Sequence, residues 1–331
     1  MFVSLAEAKE LGTRALSGLG LSATESEVTI RHLLDCELRG LAFSGLARIL
    51  SISERLAAKP FAGEAITITR ETPLSAQLDG GDRLGYVVAQ RAVEIAIDKA
   101  ADVGLAVVGA SNTWYTGMLS YYAELITGQG LVAMIASNTS PWVAPIGGTE
   151  GRFGTNPFCL GFPSNSTPVI WDIGISEVIH AQAVLAQRLG HKLPPGAAYD
   201  GFGNPTTDPA QALSGAFTAW GGHKGSGLGV SVQLLGILAG SPVSPGPLED
   251  FGFFVLAMKP DLLTPGDEFA TKVSEFSDLI RATRRADEAV PVRMPFERSA
   301  AERTAQLAAG GFDVDPSVLD AVKALAVPPP R

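Results

Sequence analysis

Gly221-Gly222-His223-Lys224-Gly225 stands at the start of an apolar stretch that reads as a helix to about Leu238. Free backbone N–H groups and the dipole at such a start favour an anion, glycines let a ligand approach the backbone, and Lys224 adds a point charge suited to pyrophosphate. The same five residues also read as a Gly-rich turn with a solvated lysine. Upstream, Gly154-Thr155-Asn156-Pro157 presents a hydroxyl, an amide and a fixed turn, although Gly and Asn-Pro are common punctuation. Asp172 closes the apolar run Val169-Ile170-Trp171, and a carboxylate at a buried strand end needs backbone donors or a ligand to hold it. Arg48 carries the planar guanidinium that binds a carboxylate bidentately, and reads equally as a surface residue on a helix. No Gly-x-Gly-x-x-Gly opens a helix after a strand, and Gly225-Ser226-Gly227-Leu228-Gly229 has the wrong spacing for that fingerprint.

The elements that must position these groups follow from patterning. Ser4 with Glu7, and Ser22 with Glu25, read as capping boxes opening two helices, with Gly40 as the stop after the second. A third helix runs from Leu46 to Ala58, before Pro60; Ile66 to Thr69 alternates like a strand, and Asp79-Gly80-Gly81 reads as a turn. Helices are expected at 85–101, 119–126, 177–189, 224–238 and 267–286, with a last one from Pro316 to Leu325 capped by Asp315. Strands are expected at 105–109, 131–135, 158–162, 169–173 and 253–258. The fold class is α/β.

Composition narrows the function. A chain of 331 residues with 46% hydrophobic and 18% charged residues can bury a large core. A net charge of −9 argues against a nucleic-acid partner, and the apolar runs are too short or too interrupted to span a membrane. The first ten residues lack a secretory pattern, and two isolated cysteines, Cys36 and Cys159, suit a reducing cytoplasm. His32, His180, His191 and His223 are scattered without ligand spacing, so no metal site is expected.

Taken in order, Gly154-Thr155-Asn156-Pro157, Asp172, Pro205-Thr206-Thr207-Asp208-Pro209 and Gly221-Gly222-His223-Lys224-Gly225 resemble the malate/L-lactate dehydrogenase family. The resemblance runs from Arg39-Gly40 to Arg293-Met294-Pro295. It implies NAD(P)-dependent oxidoreduction on a non-Rossmann, mixed-sheet cofactor domain at 75–260, with a helical domain formed by 1–74 and 261–331. It further implies a homodimer, and NADPH or NADH as cofactor, with NADPH favoured. The cofactor-binding residues carried over are Asn138, Ser140, Thr155, Asn156, Pro157, Asp172, Ser176, His223, Lys224, Gly225 and Arg293. Arg188, His191 and Lys192 form a basic loop that could meet a 2′-phosphate, or equally complement a helix dipole.

Two family histidines are missing. Where relatives carry Ser-His-Gly, this chain reads Phe43-Ser44-Gly45, and Tyr115 stands where a His is often taken as the acid/base. The family's tyrosine just past its arginine falls on Ile52. Candidate catalytic residues are therefore Tyr115, Ser44 and Arg48, with Arg48 as carboxylate anchor; His180 and His191 are candidate replacement acids. A tyrosine with an ordinary pKa of about 10 is a weak acid at neutral pH. Such a site suits reduction of a C=N bond, whose nitrogen can arrive protonated, and the family includes reductases of cyclic imino acids. Phe43, Trp114 and Trp142 suit a flat substrate. The reading is thus an NAD(P)H-dependent reductase of C=N or C=O beside a carboxylate. The alternatives are a 2-hydroxy acid dehydrogenase using Tyr115 as acid, or a cofactor-binding paralogue without catalysis.

Overall fold

The computed structural model describes residues 1–61 and 64–327. The chain opens with β1 (Phe2–Ser4), α1 (Leu5–Gly18), α2 (Ala23–Leu38) and α3 (Ala47–Ala58), followed by the hairpin β2 (Thr67–Thr72) and β3 (Ser75–Leu84). Then come α4 (Gly85–Val103), β4 (Leu105–Trp114), α5 (Leu119–Thr127), β5 (Val132–Ser137), β6 (Val143–Ala144), β7 (Phe158–Phe162) and β8 (Val169–Ile173). The middle of the chain holds α6 (His180–Leu189), β9 (Ala198–Tyr199), α7 (Pro209–Leu213), β10 (Ala216–Thr218), α8 (His223–Leu238) and β11 (Phe251–Met258). Last are α9 (Gly266–Arg281), α10 (Glu297–Ala309), β12 (Gly311–Asp313) and α11 (Pro316–Leu325).

Seven strands form one mixed sheet in the order β2-β3-β4-β11-β5-β7-β8. Only β3 and β4 run parallel, joined by the crossover helix α4; every other neighbouring pair is antiparallel. One face packs α4 and α5 through Val88, Ala92, Ala123 and Ile126, and the other packs α8 through Val232 against Ala136 and Phe254. Apolar residues on both faces explain the nearly continuous hydrophobic runs of β4, β5 and β11. This is the mixed-sheet α/β architecture expected from the sequence, without a doubly wound parallel core. A small sheet, β6-β10-β9, sits beside it over Val143, Phe153, Ile175 and Phe217.

The two ends of the chain meet. β1 pairs antiparallel with β12, and α1, α3 and α11 share a core through Leu16, Ile49, Leu319 and Val322. The Ser22–Glu25 box is complete, with both hydrogen bonds formed, whereas at the first helix only Ser4 accepts, from the Glu7 N–H. Arg39 is fully buried, bonds Asp35 and Glu124 at 2.6 Å each, and stacks on Phe296. Arg303 of α10 joins the same carboxylates, so this network ties α2, α5 and α10 together.

Two local expectations are corrected, and one helix was not expected. Asp79-Gly80-Gly81 is not a turn but lies within β3, where the register against β4 shifts between Asp79 and Arg83. Gly81 and Asp82 take positive φ there, and a Cβ on Gly80 would come within 2.7 Å of the Asn112 carbonyl, so glycine serves a bulge; the chain turns at Pro73-Leu74 instead. The helix from 267 ends at Arg281, short of Ala286, where Arg281 turns to Asp278 and Glu297. The next helix, α10, buries none of its residues, so no apolar stripe announced it.

Candidate active site

A cavity of about 330 Å³ opens where the terminal helices meet the edge of the sheet. The short 3-10 turn Ala42–Ser44 brings Phe43 and Ser44 to its rim, and α3 follows with Arg48. Glu37 organises this corner: its Oε1 accepts from the Leu46 N–H at 2.7 Å, and Gly45 packs so closely that a Cβ would lie 2.2 Å from the carboxylate. Burial pushes the Glu37 carboxyl up to about 7, against the lowering effect of that hydrogen bond.

Arg48 is buried with its Nε lacking any partner among the described residues, and its guanidinium carbon lies 4.4 Å from the centroid of the Tyr115 ring. Arg39 and Arg55, equally buried, are both tied to carboxylates. A buried guanidinium facing a cavity without a counter-charge is a receptor for an anion. Tyr115 is held at φ +55°, a left-handed conformation that is strained for a non-glycine residue and aims the loop after β4 into the cavity. Burial raises its hydroxyl pKa, with Arg48 opposing, so Tyr115 stays a neutral O–H donor through the neutral range. His32 props this loop from below: its Nε2 accepts the Met118 N–H at 2.9 Å.

On the opposite wall, Asp172 is the last but one residue of β8, and its Oδ2 accepts the Ser120 N–H at 2.7 Å, capping the start of α5. Burial raises its pKa against those hydrogen bonds. His180, the first residue of α6, lies flat on Trp142, with ring centroids 3.9 Å apart. Burial, then the charge of Arg48, holds its imidazole down to about 3, so the ring is neutral at working pH. Tyr86 and Phe251, which no sequence motif marks, complete the lining. Trp114 does not reach the cavity: it is fully buried, donates to the Asp82 carbonyl and stacks under Arg55.

A backbone track leads away from the cavity. Thr155 lines it, the Ile175 N–H donates to the Thr155 carbonyl, and the Trp220 N–H donates to the Ile175 carbonyl. Trp220 leads into Gly221 and Gly222, both at positive φ, and then α8 begins with His223 and Lys224 exposed. A Cβ on Gly225 would sit 1.9 Å from the Trp220 carbonyl, so this turn accepts only glycine there. The Ser176 Oγ beside the track is enclosed and without a partner among the described residues. Other predicted residues are committed within the protein. Asn138 bonds Ser241 and the Gly252 N–H; Asn156 bonds Gly229, Gln233 and the Thr139 N–H; Ser140 bridges Gly246 and Leu248. Pro157 lines the cavity, whereas Arg293 is exposed on the segment before α10. Arg188 is drawn to Glu54 at 2.7 Å, and Asp200 and Asp208 hold a turn and the start of α7.

The site thus sets a buried guanidinium without a carboxylate partner among the described residues in one cavity, and a glycine-built helix start at the far end of the backbone track that leaves it. The malate/L-lactate dehydrogenase family model matches residues 3–323, and the chain belongs to this family of NAD(P)-dependent oxidoreductases. It is 31% identical to L-sulfolactate dehydrogenase of Methanocaldococcus jannaschii, across 95% of this chain and 93% of that one. It is 33% identical to delta(1)-pyrroline-2-carboxylate reductase of Agrobacterium fabrum, across 72% and 70% of the two chains. The crystal structure of a dehydrogenase from Sinorhizobium meliloti superposes with a TM-score of 0.91 at 30% identity, covering 99% of this chain and 98% of that one.

Proposed function

We propose that this protein is an NAD(P)H-dependent reductase of a C=N or C=O bond next to a carboxylate, with the C=N of a cyclic imino acid favoured. The observation that carries the reading is Arg48, a buried guanidinium with no carboxylate partner among the described residues, open to a cavity walled by Tyr115, Trp142 and Phe43. A substrate carboxylate supplies the missing charge. The pyrroline-2-carboxylate and sulfolactate enzymes among its relatives act, by name, on small acids of this kind.

The residues present fit a nicotinamide dinucleotide. Gly221, Gly222, His223, Lys224 and Gly225 would receive its phosphates, while Thr155, Pro157, Asp172 and Ser176 would border its nicotinamide end, where the orphaned Ser176 Oγ awaits a partner. When bound, it supplies the hydride. Asn138, Ser140 and Asn156 shape the walls through the bonds described above, and Arg293 would approach the cofactor from the tail. NADPH is favoured over NADH, with Lys192 and His191 rather than the engaged Arg188 left for a 2′-phosphate. Arg48 orients the substrate, Tyr115 donates a hydrogen bond to the reacting oxygen when the substrate is an oxo acid, and Ser44 bonds the substrate at the rim.

The same reading places a cofactor domain at 75–260 and a helical domain at 1–74 with 261–331; the pairing of β1 with β12 supports the joining of the two ends, while Leu84, Tyr86, Trp114 and Tyr115 of the first pack into the core of the second. It also carries a cytoplasmic homodimer: both cysteines are buried and free, and Val230, Leu234 and Leu238 leave an apolar stripe exposed along α8. No helix among the described residues is long and apolar enough to cross a membrane. Oxidation of NADPH and NADH against pyruvate, oxaloacetate, 3-sulfopyruvate, piperideine-2-carboxylate and pyrroline-2-carboxylate tests the reading. Imine turnover supports it in its favoured form, turnover of the oxo acids alone selects the dehydrogenase alternative, and silence with cofactor bound leaves the paralogue without catalysis.

A further inference from the structure

His180 is not used by the roles above, yet it sits in the cavity wall. Its ring lies on Trp142 at an interplanar angle of 19°. Its Nδ1 is enclosed and has no hydrogen-bond partner among the described residues, which leaves Nε2 as the nitrogen available to a ligand. The groups that face the same space are Arg48 from α3, Tyr86 from α4, Tyr115 from the loop after β4 and Asp172 from β8. Arg48 repels a proton on the ring, and the two tyrosines bring hydroxyls that donate. Asp172 has turned Oδ2 to the Ser120 N–H. Beside the carboxylate of Asp172 and the hydroxyls of the lining, the imidazole lone pair adds a neutral nitrogen acceptor on this wall.

We propose that His180 determines substrate specificity by accepting a hydrogen bond from the N–H of a protonated cyclic imine while Arg48 holds the neighbouring carboxylate. The proposal rests on the reductase reading above. It is consistent with a ring held neutral by burial and by Arg48, because an imidazolium would repel a cationic substrate and have no lone pair to offer. In the reduction, the imine carbon takes the hydride, and the C=N π pair becomes the lone pair of the product amine nitrogen. The hydrogen bonded to His180 stays on that nitrogen, so the imidazole neither gains nor loses a proton. A 2-oxo acid brings an acceptor oxygen to the same place, which the ring meets only in its other tautomer, with the proton on Nε2.

Pyrrole-2-carboxylate and 2-furoate test the idea directly, being flat carboxylates of one shape with a ring N–H in the first and a ring oxygen in the second. Calorimetric titration with the cofactor-saturated protein is expected to show pyrrole-2-carboxylate binding about tenfold tighter, the order of one hydrogen bond in a dry site. His180→Phe, which keeps the stack on Trp142, is expected to reduce that ratio to about one, and His180→Gln, which keeps an acceptor, to retain part of it. A ratio near one in the unmodified protein, a preference for 2-furoate, or an unchanged ratio in His180→Phe overturns the proposal and leaves the reductase reading standing. If neither acid binds the unmodified protein, the carboxylate site at Arg48 fails, and the proposal falls with it.

Discussion

The guanidinium of Arg48 rests on the ring of Tyr115, 4.4 Å from its centroid, and meets no carboxylate among the described residues. The ring fixes the direction of the charge without neutralising it. A cation–π contact of this kind contributes on the order of 1 kcal/mol, far less than a buried ion pair exchanges, so the remaining charge is available to a ligand.

Arg48→Ala is therefore expected to lower kcat/KM for every carboxylate substrate by about a hundredfold or more, the loss of about 3 kcal/mol that accompanies removal of a buried charge partner. Arg48→Lys restores little, because an ammonium lacks the planar fork and the stack on Tyr115. Cofactor affinity, read by nicotinamide fluorescence, stays unchanged in both. Normal turnover in Arg48→Ala refutes the anchor.

Tyr115→Phe separates the two chemistries. The raised hydroxyl pKa makes Tyr115 a donor and a poor acid. Imine reduction is expected to fall less than about tenfold, and any oxo acid reduction by about a hundredfold, the usual worth of a positioned proton donor. Equal large losses for both would make Tyr115 the acid in either reaction.

Gly225 and Gly227 make a matched pair on α8. Gly225→Ala forces a methyl against the Trp220 carbonyl, whereas a methyl at Gly227 meets nothing within 4 Å. The first is expected to lower Tm and weaken nicotinamide cofactor binding at least tenfold; the second to hold or raise stability by up to about 1 kcal/mol through helix propensity. Similar behaviour of the two variants would remove the steric argument.

Glu37 gives the corner beside Arg48 a pH-dependent stability. Its folded pKa of about 7 exceeds the ordinary 4.5, so the folded chain binds this proton more tightly. The stabilisation is complete below about pH 4.5, is lost as pH rises through about 7, and amounts to about 3 kcal/mol. His32 and His180, both held down to about 3, slope the other way, losing stability as pH falls from 6.5. The measurement is thus a difference: urea unfolding of the unmodified chain against Glu37→Gln, from pH 5 to 8. The gap is expected to swing towards Glu37→Gln as pH rises, and a constant gap refutes it.

Periodicity made the helices and strands of the sheet region readable, because residues such as Val88, Ala92 and Val232 have a face to bury. It was silent on α10, whose residues bury no face and whose position depends on Arg303 reaching Asp35 and Glu124. Glycine was ambiguous. Gly80 and Gly81 read as a turn and proved to be a bulge, since the sequence shows that a glycine is needed but not which backbone approaches it.

By itself the sequence determined the α/β class, the two capped helices at the start, the glycine-built opening of α8 and the loss of two family histidines. These are local properties, set by the spacing of side chains along one segment. Only the tertiary structure decided that Arg48 has no counter-charge, that Trp114 is walled off while Trp142 carries His180, and that Asn138 and Asn156 spend their amides inside the protein. Each of those depends on groups distant in the chain that compete for the same polar atom, and no single segment contains both competitors.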